Sequence, residues 1–351
     1  MLIEQFESID ALLTRLRSDV LPNPFADRRF TGDEYEWVTN GDRAQLVPSI
    51  GAPFASPYLY RGQTTHYSPC LPSAFRGVPL VYSPLEMTPR ERALLLLRRV
   101  RLDEFLSLLA DHPATTFAES IPLVTYPIAI AQHYEIKTDR IDLTQDPEVA
   151  AFFATNQRDA GGIWNPIGDS HRVGVIYRVQ VPHHAFKDED SSFEWIGRQA
   201  LPRPGEQRAW TIRLPLGYDF NALPVQRFFF RQQIDCSRRL NAKFSAGLKL
   251  FPPDMTASIA NEIAFCRTVA RRTLERVITN YGCSPKQLRQ HCDEAAWAFS
   301  NWFGVTVTTR QERTLFVKER EKAVTAAEIT RAGFVGHAHA VRTGHLHARN
   351  P

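Results

Sequence analysis

The sequence predicts an α+β fold, in which a small mixed or antiparallel sheet core with interleaved helices precedes a helical C-terminal extension. Between about residues 57 and 232, short aromatic or β-branched runs alternate with segments that open on helix-capping residues. The last third of the chain carries helix start and stop signals almost alone. Short strands interleaved with separate helices are typical of α+β domains.

The helices of the first half are marked by their starting residues. The clearest start is TPRE at 88–91, where Thr88 caps, Pro89 takes the first helical position and Glu91 completes a capping box. The segment after Asp146 repeats this logic with a proline and an early glutamate. In chain order we expect a helix over 8–20, a strand over 57–63, helices over 88–110 and 127–134, a strand over 140–144 and a helix over 146–156.

Three more strands and three more helices are expected in the second half. The strands are the apolar or aromatic runs at 174–181, 207–214 and 225–232. The helices are one over 235–247, a longer one from Asp254 to near Gly282, and one that opens at SPKQ, 284–287, and ends before Gly304. Residues from Ala332 onward are rich in Gly, His and Arg. We expect a flexible tail there.

These elements divide the chain into four predicted parts. An N-terminal helix and connecting segment occupies 1–49, the α+β domain 50–262, a helical extension 263–331 and the tail 332–351. The N-terminus lacks the basic and apolar runs of a signal peptide, and no apolar stretch approaches the roughly 20 residues that span a bilayer. We therefore expect a cytoplasmic protein without a membrane partner.

Composition narrows the class of ligand. Of the 351 residues, 43% are hydrophobic and 23% charged, which is typical of globular proteins. The formal net charge of +4 permits an anionic ligand without demanding a nucleic acid. The five cysteines form no CxxC pair, and the HAH and HLH repeats of the tail have no carboxylate or cysteine nearby. No metal site is therefore expected.

The first candidate site residue is the arginine of YRGQ, at 60–63. A guanidinium offers five donors in a rigid fork that suits a phosphate or a carboxylate. Gly62 would let a ligand or another strand approach the backbone closely. The alternative is structural: Arg61 would pair with an internal carboxylate such as that of Asp142 and hold two strands together.

Two other stretches concentrate polar residues. The segment 131–156 places Gln132, His133, Tyr134, Asp139, Arg140, Asp142 and Thr144 within 13 positions, just before a helix that is built to pack. It is either a buried polar network or a cleft in which His133 and Tyr134 contact a ring or a ribose. The segment 201–210 carries Glu206 and Gln207 to the mouth of a strand, where either could orient a ligand hydroxyl.

Taken in order, these stretches resemble the FRG domain, a family named for its Phe/Tyr-Arg-Gly motif. YRGQ and the following CLPSAFRG, 70–77, resemble the opening of that domain. QHYEIKTDRIDLTQDPEVAAFFAT, 132–155, is similar to its second block, PRPGEQRAW at 202–210 to its third and SAGLKLFPPD at 245–254 to its last. Glu135 stands where the family usually has glycine, and Lys137-Thr138-Asp139 replace its Pro-Thr pair. We therefore expect a differently shaped loop at this point.

The order of these blocks is similar to that in ADP-ribosyltransferases, which implies an NAD-consuming enzyme with a toxin or defence role. Arg61 would then grip the pyrophosphate or a ribose, and Tyr134 or His133 would lie against nicotinamide. Glu206 or Gln207 would stand where the late catalytic acid acts, although a glutamine cannot supply its negative charge. The residues that this resemblance assigns to nucleotide binding are Arg61, Gly62, Gln63, His133, Tyr134, Arg140, Asp142 and Thr144.

A second hypothesis remains open beside the enzyme. The chain could be a non-catalytic module that binds a nucleotide, a nucleic acid or a protein. The mild basic excess, the basic run RTVARRTLER at 267–276 and the lack of an assured late acid support it. NAD is thus expected as a substrate or ligand, and the macromolecular acceptor or partner is left open.

Overall fold

A computed structural model describes the chain over residues 3–19, 35–40, 43–48, 58–120, 123–169, 171–180, 192–280 and 282–309. The predicted tail at 332–351, with its HAH and HLH repeats, lies outside these residues. From the N-terminus the elements are β1 (Ile3–Phe6), α1 (Ile9–Ser18), β2 (Tyr35–Asn40), β3 (Arg43–Pro48), β4 (Tyr58–Gln63), α2 (Pro89–Ala110), α3 (Pro113–Ser120), α4 (Pro127–His133), β5 (Arg140–Thr144), α5 (Pro147–Thr155), β6 (Asn156–Arg158) and β7 (Trp164–Pro166). They continue as β8 (Val173–Gln180), β9 (Phe193–Trp195), α6 (Pro202–Glu206), β10 (Ala209–Arg213), β11 (Gln226–Arg231), α7 (Ile234–Lys243), α8 (Met255–Phe265), β12 (Thr268–Ala270), α9 (Arg271–Thr279), α10 (Pro285–Phe303) and β13 (Thr306–Thr308).

The main sheet contains seven strands in the order β1-β11-β8-β4-β5-β10-β9. Strand β1 runs parallel to β11, and every other neighbouring pair in this sheet is antiparallel. The sheet is therefore mixed, and the interleaved helices make the fold α+β, which confirms the predicted class.

Both faces of this sheet are covered. On one face α1, α5 and α7 bury residues such as Leu12, Phe152 and Leu240 against Tyr60 and Phe228 of the strands. The other face carries a second cluster that includes Leu59, Ile141, Tyr177, Trp210 and Phe220. Alternate residues of β4 thus point into different cores, as the period of a strand requires.

Helix α2 joins the sheet domain to the C-terminal helices. It starts as predicted, because Thr88 and Glu91 form a complete capping box. Its C-terminal half packs with α3, α4 and α8 through residues that include Phe105. Its N-terminal half packs with α9 and α10 through residues that include Val100 and Phe299. The predicted start of α10 is also confirmed, because Ser284 and Gln287 form its capping box.

The long helix predicted from Asp254 to near Gly282 is wrong. It is divided into α8 and α9 by Cys266, whose backbone is extended, and by strand β12. The cause is distant in sequence, since β12 pairs in parallel with β13. A helix that the sequence analysis did not predict, α3, begins at Pro113.

Several strands carry too little local signal to be predicted. They are β1, the β2–β3 hairpin, the β6–β7 hairpin, β9, β12 and β13. Strand β1 joins the main sheet and α1 joins its covering layer, so these parts of the segment 1–49 pack within the sheet domain. The boundaries at 49, 262 and 331 stay predictions. Within the described ranges, no helix combines the length and apolar character needed to cross a membrane.

Candidate functional site

The main sheet splits between its central strands β4 and β5. Strand β4 pairs with β8 at six positions and β5 pairs with β10 at five, but β4 and β5 pair with each other only at Tyr60 and Thr144. Beyond that point the strands diverge, and a cleft of about 470 Å³ opens. Its lining comprises Tyr60, Arg61, Gly62, Gln63, Thr64, Tyr67, Arg76, His133, Asp142, Leu143, Thr144, Val149, Ala150, Phe153, Asn156, Gln157, Arg158, Trp164 and Gln207.

Gly62 allows a helix to lie against the strand at the cleft. A Cβ atom at this position would stand 1.7 Å from the main-chain oxygen of Ala150 and 3.0 Å from the nitrogen of Ala154, both in α5. The close approach that the sequence predicted at this glycine is therefore made by α5. It brings the helix and the following hairpin to the cleft as one wall.

Arg61 bridges the split from the β4 side. Its Nη1 donates to the main-chain oxygen of Asp142 at 2.9 Å, and its Nε is buried without a hydrogen-bond partner. Within the described part of the chain Arg61 forms no ion pair. Asp142 is thus its partner, as the structural alternative expected, but through the main-chain carbonyl instead of the carboxylate. The guanidinium keeps donors for a ligand.

The carboxylate of Asp142 is held from one side only. Its Oδ2 accepts from Gln132 Nε2 at 3.1 Å, and the Gln132 oxygen in turn accepts from the hydroxyls of Ser73 and Thr138. This chain fixes the orientation of the Gln132 amide. Asp142 Oδ1 is buried and has no hydrogen-bond partner.

His133 lies opposite Asp142 and is fixed by Gln207. The Gln207 Nε2 donates to the main-chain oxygen of Leu250 at 3.0 Å, so its Oε1 faces His133 Nδ1, also at 3.0 Å. Because an amide oxygen only accepts, Nδ1 carries the proton. Burial lowers the pKa of His133, against the opposing effect of Asp142, and favours the neutral ring. Its Nε2 is therefore a free acceptor.

Two buried acceptors consequently face each other across the cleft. His133 Nε2 lies 3.9 Å from Asp142 Oδ1, and neither atom has a hydrogen-bond partner. Buried polar atoms are rarely left unpaired, and two neutral or anionic acceptors cannot satisfy one another. A ligand that offers donors, such as a pair of hydroxyls, would complete both.

The remaining walls supply positive charge and aromatic rings. Arg76 and Arg158 join Arg61 in the lining, and Asp142 is the one carboxylate among the lining residues. Arg158 forms an ion pair with Glu135 at the surface. Phe153 meets Trp164 edge-on at 5.6 Å, which gives the far wall a half-buried aromatic surface. This arrangement suits an anion that also carries a ring.

A comparison with protein families matches the part of the chain that contains the first two blocks of the resemblance. Residues 56–162 match the model of the FRG domain. The chain carries an FRG domain. No curated protein and no solved structure matches the chain. The matched residues of the FRG domain contain β4, α2, β5 and α5 with their cleft residues, whereas 202–210 and 245–254, also compared with the family above, lie outside the match.

The structure brings together most of the residues predicted for the site. Seven of them line the cleft: Arg61, Gly62, Gln63, His133, Asp142, Thr144 and Gln207. Thr144 has a structural role. Its hydroxyl donates to the main-chain oxygen of Gln207 at 2.7 Å and so links β5 to the end of α6. Gln207 is bonded at both ends of its amide, so its side chain is held in place and orients His133.

Three predicted site residues do not line the cleft. Tyr134 is buried, and its hydroxyl donates to Asp254 at 2.7 Å. Arg140 is held by Asp139 and by a two-pronged bond to Glu194. Glu206 is exposed and lies 3.4 Å from Arg198 at the end of α6. The structure thus places the late carboxylate at the surface.

Sequence reasoning missed other residues of the cleft. Arg76 belongs to the CLPSAFRG segment of the resemblance, but it reaches the cleft only because of the path that the loop after β4 takes. Phe153, Arg158 and Trp164 reach the cleft because α5 and the β6–β7 hairpin pack against the open edge of β4. Glu135 adopts a left-handed backbone with φ 67°, a conformation that glycine favours. The departure from the family glycine is therefore tolerated locally.

The described residues offer no cluster of three His, Cys, Asp or Glu side chains that could hold a metal. Each of the two titratable residues is hydrogen-bonded to an amide, Asp142 to Gln132 and His133 to Gln207. The site is therefore organised around hydrogen-bond acceptors and guanidinium donors.

Proposed function

We propose that the FRG domain binds NAD in this cleft and acts as an NAD-consuming, ADP-ribosyltransferase-like enzyme. The observation that carries the proposal is the pair of buried, unpartnered acceptors, His133 Nε2 and Asp142 Oδ1, 3.9 Å apart in an open cleft. Neighbouring hydroxyls of a ribose offer two donors at a matching separation, and each would satisfy one acceptor.

The remaining groups fit the other parts of the dinucleotide. The free donors of Arg61, with Arg76 beside them, suit a pyrophosphate. The aromatic wall of Phe153 and Trp164 suits a stacked base or nicotinamide ring, the role that the resemblance gave to Tyr134 or His133. A volume of about 470 Å³ lies within the usual range for small-molecule sites.

The reaction that these groups support is nucleophilic displacement at the ribose. The bond between C1′ and the nicotinamide nitrogen breaks, and its electron pair leaves with nicotinamide. An acceptor oxygen forms the new bond to C1′ and gives up its proton to solvent water, because the bound ribose hydroxyl occupies His133 Nε2. Positive charge that develops on the ribose is stabilised by Asp142, the one carboxylate among the lining residues.

A second candidate is a module that binds the same nucleotide without cleaving it. It is favoured by one observation, namely that an amide stands at 207 and Glu206 faces Arg198 instead of the cleft. A single carboxylate that already contacts Gln132 would then serve recognition alone.

One pair of measurements separates the two candidates. Purified protein is titrated with ADP-ribose by calorimetry and incubated with NAD, and released nicotinamide is measured by chromatography. We expect Asp142→Asn to lower the release rate at least about 100-fold. Glu206→Gln removes a carboxylate outside the cleft and serves as the matched control, with a rate within about twofold of wild type.

Each outcome decides between the candidates. Binding of ADP-ribose without nicotinamide release, in the presence of protein and small-molecule acceptors, would leave the binding module. Release that survives Asp142→Asn would remove the carboxylate from the mechanism. Absence of both binding and release would refute the nucleotide assignment.

A further inference from the structure

A group of basic side chains lies beside the cleft, on the segment that follows β4. Arg76 lines the cleft, and its Nε donates to the main-chain oxygen of Leu71 at 3.2 Å. Arg98 of α2 holds the same segment, because its Nη1 donates at 2.8 Å to the main-chain oxygens of both Ala74 and Arg76. These bonds hold the Arg76 guanidinium in the lining of the cleft and the Arg98 guanidinium against the main chain of the same segment.

Lys137 approaches this group from the other side. The main-chain nitrogen of Ala74 donates to the oxygen of Thr138 at 2.9 Å, so the loop before β5 lies along the same segment. Lys137 is exposed, and its ammonium forms no hydrogen bond or ion pair within the described part of the chain. Desolvation and the neighbouring charges of Arg76 and Arg98 lower the pKa of Lys137.

The positive charge of these side chains is offset only in part, by the effect of the Asp142 carboxylate on Arg76. Within the described ranges, none of Arg76, Arg98 and Lys137 forms an ion pair. The nearby carboxylate of Asp139 is occupied by Arg140 and Arg213. Like charges at close range repel, and desolvation also lowers the pKa of Arg76 and Arg98. An anion at the rim would relieve this repulsion.

We propose that Arg76, Arg98 and Lys137 form a phosphate subsite at the rim of the cleft, beyond the His133–Asp142 pair. Two guanidinium forks and an ammonium match the oxygens of a phosphate group in charge and in donor number. This inference rests on the proposed function, which places the nucleotide in the cleft. It adds the substrate class, namely nucleotides with a phosphate group that extends beyond the part of the cleft that holds the ribose. Free phosphate offers the same chemistry, and the experiment distinguishes the two sources.

The test uses the full chain and calorimetric titration with pyrophosphate, ADP, adenosine and inorganic phosphate at two salt concentrations. Lys137→Gln is the central variant, because it removes a charge without removing a hydrogen bond within the described chain. Arg99→Gln is its matched control, since Arg99 is an exposed neighbour of Arg98 on α2 that forms no ion pair or hydrogen bond there. We expect Lys137→Gln to weaken ADP binding about fivefold and Arg99→Gln to change it less than twofold.

The outcomes separate this subsite from the proposed function. ADP that binds more tightly than adenosine, with the difference lost in Lys137→Gln, supports a phosphate carried by the nucleotide. Inorganic phosphate or pyrophosphate that binds with the same sensitivity, while ADP and adenosine do not bind, supports free phosphate at the subsite and counts against the nucleotide cleft. Equal affinities of wild type, Lys137→Gln and Arg98→Gln for all four probes overturn the subsite, whether or not NAD is cleaved.

Discussion

Replacing Gly62 by alanine should force α5 away from β4 and close part of the cleft. The added Cβ would lie 1.7 Å from the oxygen and 2.7 Å from the carbon of Ala150, and 3.0 Å from the nitrogen of Ala154. All three atoms belong to the helix backbone, so no side-chain rotation relieves the contact. Because carbon and oxygen atoms need a separation of about 3.3 Å, the helix must retreat by about 1.6 Å.

The cost follows from what the helix buries. Helix α5 contributes Val149, Ala150, Phe152 and Ala154 to the core on one face of the sheet, and a retreat loosens all of these contacts. Overpacking of this kind costs about 1–3 kcal/mol, and the lower backbone entropy of alanine in the unfolded chain returns less than about 1 kcal/mol. We therefore expect the free energy of unfolding to fall by about 2 kcal/mol and the melting temperature to fall by about 4–8 °C.

Thermal and urea denaturation measure this effect, and Gly161→Ala is the control. Gly161 follows β6, and a Cβ there would meet one side-chain oxygen of Asp159 at 3.3 Å and no backbone atom of the kind that blocks position 62. Affinity for ADP-ribose should fall together with stability in Gly62→Ala, since α5 forms a wall of the cleft. A melting temperature within about 1 °C of wild type would refute the close packing of α5 on β4.

Three further substitutions test separate parts of the argument. Arg61→Lys should change the free energy of unfolding by less than about 1 kcal/mol but reduce nucleotide affinity at least tenfold, because an ammonium cannot replace the planar set of guanidinium donors. If the variant unfolds instead, the role of Arg61 is to stabilise the fold. Tyr134→Phe should lower the free energy of unfolding by about 2 kcal/mol, because the hydrogen bond to Asp254 is lost, and leave nicotinamide release per folded molecule unchanged. A tenfold slower release would instead give Tyr134 a functional role. Burial lowers the pKa of His112 to about 4, so the unfolded chain takes up a proton at higher pH than the folded chain does. The free energy of unfolding should therefore fall by up to about 3 kcal/mol as the pH drops from about 6.5 to 4. In His112→Asn, urea denaturation should show a smaller fall over this pH range, and an unchanged slope would contradict this reasoning.

Local sequence signals located the starts of α2 and α10 because the chemistry of a capping box is local. The capping boxes at Thr88 and Ser284 satisfy backbone nitrogens within one turn, so they mark the first residues of α2 and α10 wherever the helices pack. The helix predicted across 254–282 failed for the opposite reason. Pairing of β12 with β13, almost forty residues further along the chain, overrides the helical preference between α8 and α9.

The candidate site was predictable in its residue types but not in its geometry. YRGQ and the block from Gln132 to Thr144 identify residues that meet, because an internal aspartate and histidine require partners wherever the fold buries them. The split of the sheet, with one pairing between β4 and β5, depends on contacts of each strand with its other neighbour. No periodicity in the sequence reports such a divergence, so Phe153 and Trp164 could not be placed in the cleft in advance.

The amide at 207 explains why a carboxylate would not serve there. Its Nε2 donates to the Leu250 carbonyl while its Oε1 accepts from His133, so the position needs a donor and an acceptor on one side chain. A glutamate would direct an anionic oxygen at the Leu250 carbonyl and would favour a protonated His133. The imidazole would then lose its free acceptor, and Asp142 would pair with it instead of with a ligand. Burial keeps His133 neutral, and the glutamine avoids a second negative charge beside it, so the negative charge of the cleft is left to Asp142.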